Sequence, residues 1–60
     1  MRYYEGKQFI LDLIDVLWID KHSAGSVWDI YIWGADEPFE VNAVEGREIA
    51  EALKRYIDGC

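Results

Sequence analysis

The chain has 60 residues, of which 52% are hydrophobic and 30% are charged, a length for one small domain and a composition unlike that of a disordered segment. Twelve acidic residues against six basic ones give a formal net charge of −6, which repels the phosphates of nucleic acids and of anionic lipid head groups. The composition therefore argues against nucleic-acid and membrane partners, and no apolar run approaches the roughly 20 residues that span a bilayer.

Covalent cross-links, which stabilise many small proteins, cannot form within this chain. Cys60 is the one cysteine in the sequence, so neither an internal disulfide nor a cysteine-based zinc site is possible. The chain nevertheless carries nine aromatic rings, on three Trp, four Tyr and two Phe residues. Each ring needs about 150–250 Å² of cover, more than one thin core supplies in a domain that buries only about 60% of its unfolded surface. The composition therefore favours a partner protein or a second copy of the chain.

Residues 1–15 are predicted to form two short strands and a bend. The pattern favours a strand at 8–11, because apolar residues alternate there and no residue that could cap a helix precedes Phe9. A helix is the alternative, since apolar residues in this segment also recur at helical spacing. The chain is expected to bend near 12–15, and residues 3–5 can pair back as a short edge strand.

The next two predicted strands, at 16–20 and 27–33, are joined by a polar loop that contains a glycine. Residues 27–33 read V-W-D-I-Y-I-W, a β-branched and aromatic run that suits a pleated sheet and is short for a helix. Residues 16–20 read V-L-W-I-D and have the same character. Two such runs around a short polar loop predict a β-hairpin.

Five glycines and one proline are interpreted as turn or cap markers between the elements: Gly6, Gly25, Gly34, Pro38, Gly46 and Gly59. The last strand then falls at 39–44, and a helix is predicted at 47–58. Within that helix, good helix formers surround apolar residues at helical spacing: Ile49, Ala50, Leu53, Tyr56 and Ile57. Acidic residues near its start and basic ones near its end match the helix dipole. Gly59 is expected to end it in a left-handed conformation.

Alternation assigns the strand residues to two faces of a sheet, and both faces are rich in apolar side chains. One face is expected to lie under the helix: Leu17, Ile19, Trp28, Ile30, Ile32, Phe39 and Val41. The opposite face is predicted to carry a protein interface: Val16, Trp18, Val27, Tyr31 and Trp33. Exposed apolar patches mark protein interfaces, and Trp and Tyr are enriched at binding hot spots. The alternative is that the N-terminal segment folds over this second face.

No residue pattern predicts catalysis, a cofactor or a metal site. Asp20, His22 and either Ser23 or Ser26 are the residue types of a catalytic triad, but neighbours in one hairpin loop cannot converge as a triad requires. The acidic residues lack the spacing of a calcium loop, and 60 residues scarcely enclose a substrate cleft. The acids are interpreted as solubilising charges that also protect sheet edges.

These features predict a single α+β domain over 1–60, with a three- or four-stranded antiparallel β-meander and a C-terminal helix packed on one face. The predicted function is non-enzymatic: protein–protein interaction, with self-association through the aromatic sheet face. A second hypothesis is an acidic inhibitor that mimics nucleic acid and blocks the basic groove of a nucleic-acid-binding protein. The start of the sequence lacks the apolar core of a signal peptide, so a cytoplasmic location is expected.

Overall fold

In the computed structural model, which describes residues 2–21 and 25–59, short strands are followed by a C-terminal helix. The elements in chain order are β1 (Tyr3–Glu5), β2 (Ile10–Asp12), a 3₁₀ turn (Leu13–Asp15), β3 (Val16–Lys21), β4 (Val27–Ile32), β5 (Phe39–Asn42) and α1 (Ala43–Asp58). β1 and β2 form a two-stranded ribbon, and β3, β4 and β5 form an antiparallel sheet in that order. The predicted α+β fold with a helix on one sheet face is confirmed. His22, Ser23 and Ala24 of the predicted hairpin loop lie outside the described residues.

The N-terminal ribbon confirms the predicted edge strand and the predicted bend. β1 and β2 pair in antiparallel register, and the 3₁₀ turn follows β2 directly. The second strand begins at Ile10 and not at residue 8, because residues 6–9 form the connecting turn, in which the Gly6 N–H donates to the Phe9 carbonyl at 2.8 Å. The ribbon is separate from the three-stranded sheet, and the strand order of the main sheet starts with β3.

An ion pair connects the start of the chain to the end of the ribbon. Arg2 donates from Nε and Nη2 to the two carboxylate oxygens of Asp12, at 2.8 and 2.7 Å. These hydrogen bonds hold the pKa of the Asp12 carboxyl below its usual range, because they favour its charged form. Asp12 also accepts the Ile14 N–H at 3.2 Å, so the same carboxylate caps the 3₁₀ turn.

The central strand β4 carries the largest core side chains. Trp28 and Ile30 alternate with half-buried residues and lie on the sheet face that α1 covers. Ile30 is opposite Ile19 of β3 and Phe39 of β5, and Trp28 is opposite Val41. Because directly opposite side chains share one face of a sheet, this register confirms the predicted core members on the central and last strands.

A β-bulge in β3 changes which of its residues face the core. Val16 is opposite Ile32, whereas Trp18 is opposite Tyr31, so Leu17 is the extra residue of the bulge. The prediction was wrong for two residues here: Val16 packs against the core, and Leu17 is 61% exposed on the other face. The bulge shifts the alternation by one residue, and a one-residue shift exchanges the two faces.

The helix begins four residues earlier than predicted, directly after β5. The Asn42 side chain accepts the Glu45 N–H at 2.8 Å, so Asn42 is the N-cap residue and Ala43 opens the helix. The strand predicted at 39–44 therefore ends at Asn42, and the helix predicted at 47–58 starts directly after it. The strong capping residue outweighs the strand preference of the next two positions. Gly46 is a buried helix residue and not a turn marker.

The far end of α1 differs from the prediction in two respects. Gly59 has a φ of −83° and donates its N–H to the Arg55 carbonyl, so it closes the helix in the right-handed region and not in the left-handed one. Along the predicted apolar stripe, Ile49 is fully buried, Leu53 is half-buried and Ile57 is 60% exposed. A helix of 16 residues is about 24 Å long, whereas β5 with four residues spans about 13 Å. The last turns of the helix therefore extend beyond the core.

The N-terminal ribbon packs on the helix side of the sheet. The Phe9 ring contacts Phe39 edge to face, with centroids 4.8 Å apart. The Tyr4 hydroxyl donates to Glu48 Oε1 at 2.7 Å, and the Lys7 N–H donates to Glu45 Oε2 at 3.3 Å. These contacts hold the ribbon against α1 and β5. The N-terminal segment therefore does not cover the opposite sheet face, contrary to the alternative drawn from the sequence.

Candidate functional site

The sheet face that points away from α1, called the outer face below, carries an uneven mixture of aromatic and acidic side chains. The alternation of β4 and the bulge of β3 assign most of its members: Leu17, Trp18, Asp20, Val27, Asp29, Tyr31, Glu40 and Asn42. Trp33 directly follows β4, and the bond from its N–H to the Asp15 carbonyl continues the pairing of the two strands by one residue, so continued alternation places it on the same face. Four of the five residues predicted for the interface are on this face. Val16 is the exception, since it packs into the core.

Two aromatic rings on neighbouring strands of the outer face stack on each other. The Trp18 and Tyr31 rings have centroids 4.3 Å apart and planes inclined by 8°. Such cross-strand aromatic pairs stabilise a sheet and restrict both side chains. Trp18 nevertheless remains 52% exposed, so the pair is a pre-ordered surface and loses little rotamer freedom when another surface covers it.

Trp33 extends the same surface at the end of β4. Its N–H donates to the Asp15 carbonyl at 2.8 Å, and the Ala35 N–H donates to the Ile32 carbonyl at 3.2 Å. The turn between these bonds needs Gly34, whose φ of +86° is in the left-handed region. The Trp33 backbone is therefore fixed on both sides, while its side chain is 73% exposed.

The apolar residues at one end of the outer face are called the aromatic patch: Leu17, Trp18, Tyr31 and Trp33. At 52% and 73% exposure, the two indole side chains alone expose about 200–300 Å², given 150–250 Å² for a large aromatic. Leu17 and the rest of Tyr31 bring the patch close to the roughly 500 Å² per partner of the smallest stable interfaces. Leu17 was missed from the sequence, because nothing in the run V-L-W-I-D marks a bulge.

Next to the aromatic patch, three carboxylates cross the sheet in one line, called the acidic row. Asp29 is opposite Asp20 on one side and opposite Glu40 on the other. The row lies two residues from Tyr31 along β4, a distance of about 7 Å. Val27 lies beyond the row and is half-buried. The predicted interface residue Val27 therefore shares the face with the aromatic patch but is separated from it by the acidic row.

In residues 2–21 and 25–59, no group of three His, Cys, Asp or Glu side chains could hold a metal ion. His22 and Ser23, two of the residues considered for a catalytic triad, lie outside this part of the chain. Two adjoining surface grooves of about 420 and 460 Å³ flank the start of α1, and the first of them reaches Val27 and Glu40. The Glu45 carboxylate in them already accepts the Lys7 N–H.

One phenol at the edge of these grooves has a shifted pKa. The partial burial of Tyr4 and its hydrogen bond to Glu48 raise the pKa of Tyr4 to about 12. Burial disfavours the charged phenolate, and the carboxylate accepts the hydroxyl proton. The hydrogen bond from Tyr4 to Glu48 fixes the ribbon to α1, so we interpret its role as structural.

Comparison of the chain with protein-family models, with curated proteins and with solved structures gives no match. Within the described residues, no helix is long and apolar enough to cross a membrane. The case for a function therefore depends on the surface of the molecule.

Proposed function

We propose that this chain is a non-enzymatic interaction protein of the cytoplasm that associates with a second copy of itself through the aromatic patch. The observation that carries the proposal is the exposure of Trp33 and Trp18, 73% and 52%, on a rigid sheet face. Large exposed indoles are the residue type most enriched at binding hot spots. When a twofold axis relates two copies through this face, each copy covers the exposed indoles of the other.

The area of the aromatic patch sets the expected strength of the association. Two copies that each bury about 250 Å² of indole surface gain about 12 kcal/mol at 25 cal/mol/Å². Association costs about 4–15 kcal/mol in lost translational and rotational freedom. The indoles alone therefore change the free energy of association by between about −8 and +3 kcal/mol. With the contribution of Leu17 and Tyr31, we expect a dissociation constant in the micromolar range, which corresponds to about −8 kcal/mol.

The acidic row favours the second candidate function, an acidic inhibitor that occupies the basic groove of another protein. Three carboxylates aligned across one face resemble the regular charge of a nucleic-acid backbone more than scattered acids do. The two functions predict opposite effects of salt. Salt weakens binding to a basic partner, whereas it screens the repulsion between two copies that each carry a net charge of −6.

Sedimentation equilibrium or light scattering across about 1–100 μM, a range that brackets a micromolar constant, tests the proposal. The expected mass rises from 7.0 kDa toward twice that value, and the rise is steeper at high salt. Trp33→Ser should shift the midpoint of dimerisation at least tenfold to higher concentration. It should not change the far-UV circular dichroism spectrum, since the side chain packs against little else.

Ile57→Ser is the matched control, because Ile57 is also a large apolar side chain, 60% exposed, but lies on α1. This variant should dimerise like the parent chain. A chain that stays monomeric at every concentration and salt would disprove self-association. Equal weakening by both substitutions would show that the aromatic patch has no special role.

A further inference from the structure

The first of the two grooves, with a volume of about 420 Å³, runs along β5 on the side away from β4. It is lined by all four residues of β5, Phe39–Asn42, by Lys7, Phe9 and Glu45 on the helix side, and by Val27 on the outer face. A groove that touches both faces of the last strand of a sheet passes along the edge of that strand. We propose that this edge groove binds an extended segment of a partner protein, which adds to the sheet as a fourth, antiparallel strand with alternating basic and apolar side chains.

The register of β5 determines which of its backbone groups point into the edge groove. The Ala43 N–H donates to the Ser26 carbonyl at 2.7 Å, and these two residues continue the pairing register of β4 and β5. Hydrogen-bonded and non-hydrogen-bonded pairs alternate in an antiparallel ladder, so Phe39 and Val41 bond to β4 as Ala43 does. The N–H and C=O of Glu40 therefore point away from β4, where one residue of an added antiparallel strand can exchange both hydrogen bonds with Glu40.

The side chains of an added strand meet different surroundings on the two faces of the sheet. On the helix side they meet the rings of Phe9 and Phe39, which are in edge-to-face contact, so apolar side chains fit there. On the outer face, the residue opposite Glu40 lies next to an exposed carboxylate, and opposite charges on directly opposite residues stabilise a sheet. The formal charges of Lys7 and Glu45 cancel, so Glu40 determines the preference for a basic residue.

The other edge of the sheet is less suited to strand addition. β3 contains the bulge at Leu17 and ends at Lys21, and bulges and lysines are features that protect edges against further pairing. β5 pairs with β4 without a bulge. A second copy of β5 is a poor occupant, because each copy brings Glu40 to the shared edge and a net charge of −6 to the complex. The same net charge attracts a basic segment.

A titration with a synthetic peptide, followed by heteronuclear NMR, tests the proposal. The peptide T-V-K-V-K-V-T, blocked at both ends, has the proposed alternation, and T-V-E-V-E-V-T is its control. We expect the first peptide to bind about tenfold more tightly or better and to slow the hydrogen exchange of the Glu40 amide. The Val41 amide, which already bonds to β4, should not gain protection. Equal affinities, or binding that leaves the Glu40 amide unprotected, would overturn the proposal.

A charge exchange on the protein tests the role of Glu40. Glu40→Lys should weaken binding of the lysine peptide about tenfold and strengthen binding of the glutamate peptide. Glu51→Lys is the matched control, because it changes the net charge equally at an exposed position on α1, outside the groove. This variant should bind both peptides nearly as the parent does. Equal effects of the two substitutions would show that the peptide responds only to net charge, contrary to the proposal.

Methylation of the peptide backbone tests strand addition without a change to the protein. A residue paired with Glu40 in an antiparallel ladder directs its own N–H toward β5, and its two neighbours direct theirs away. Methylation of both lysine backbone nitrogens should therefore abolish binding, whereas methylation of the two outer valine nitrogens should preserve it. Loss on valine methylation, or binding that survives lysine methylation, would disprove the antiparallel strand. The edge groove shares no residue with the aromatic patch, so Trp33→Ser should bind the peptide like the parent whether or not the chain self-associates.

Discussion

Gly46 is the position where packing and helix propensity predict opposite signs for one substitution. Gly46 is buried in the first turns of α1, and alanine at such a position usually stabilises a helix by about 1 kcal/mol. A Cβ atom at Gly46, however, would lie 2.7 Å from Trp28 Cδ2 and Cε3 and 2.8 Å from Trp28 Cβ. Favourable contacts between carbon atoms need about 3.5 Å or more, so the methyl group overlaps the indole by about 0.8 Å.

The indole ring cannot move away without a larger change. Trp28 is a core residue, 9% exposed and directly opposite Val41, and its Cβ is fixed by the β4 backbone. Adding a methylene to a packed core costs about 1–3 kcal/mol, and the clash involves three atoms, which favours the upper half of that range. After the helix-propensity gain, Gly46→Ala should lower the free energy of unfolding by about 1–2 kcal/mol.

Urea unfolding followed by far-UV circular dichroism measures this change. With an m value near 1 kcal/mol/M for so small a domain, the midpoint should fall by about 1–2 M. The exposed residue Glu51 supplies the control, because the difference between Glu51→Ala and Glu51→Gly gives the helix propensity without packing. If Gly46→Ala is more stable than the parent by the difference measured at Glu51, the close contact between α1 and Trp28 is refuted.

Two further predictions concern the core and the ribbon. Ile49→Ala should cost about 2–5 kcal/mol, because the side chain is 0% exposed, whereas Ile57→Ala should change the unfolding free energy by less than about 0.5 kcal/mol; equal effects in urea unfolding would contradict the helix register. The folded state favours the neutral phenol of Tyr4, so this residue contributes stability in full below its ordinary pKa of 10.0, and the contribution disappears as the pH rises toward about 12. The urea midpoint of the parent should therefore fall more between these pH values than that of Tyr4→Phe, and identical pH profiles would show that the Tyr4–Glu48 hydrogen bond is not formed.

The spacing of apolar residues was sufficient to predict the elements in which that spacing is regular. The alternation at 27–33 predicted the two faces of β4 correctly, because the extra residue of the bulge lies on β3 and not on β4, and β5 pairs with β4 without interruption. The helix was predicted from its apolar spacing, but its start was misplaced. Ala43 and Val44 continue the alternation of β5, and only the hydrogen bond from Glu45 to Asn42 shows that the chain has turned into a helix there.

The composition of the candidate site was less predictable than its position. A bulge adds one residue to a strand without a requirement for any residue type here, so the exchange of Val16 and Leu17 between the faces could not be predicted from their sequence. The separation of Val27 from the aromatic patch depends on register, since Asp20 and Glu40 must lie opposite Asp29 before a row exists. Pairing register comes from the whole sheet and not from one strand.

The direct junction of β5 and α1 has a consequence for hydrogen exchange. No residue separates Asn42 from Ala43, and the Ala43 N–H donates to the Ser26 carbonyl at 2.7 Å, so the first helical residue still belongs to the hydrogen-bonded ladder of the sheet. A flexible connection would let the strand and the helix open separately. Here the opening of either one requires the opening of the other. We therefore expect the amide protons of β4, β5 and the first turns of α1 to exchange with one common opening rate, slower than those of the ribbon.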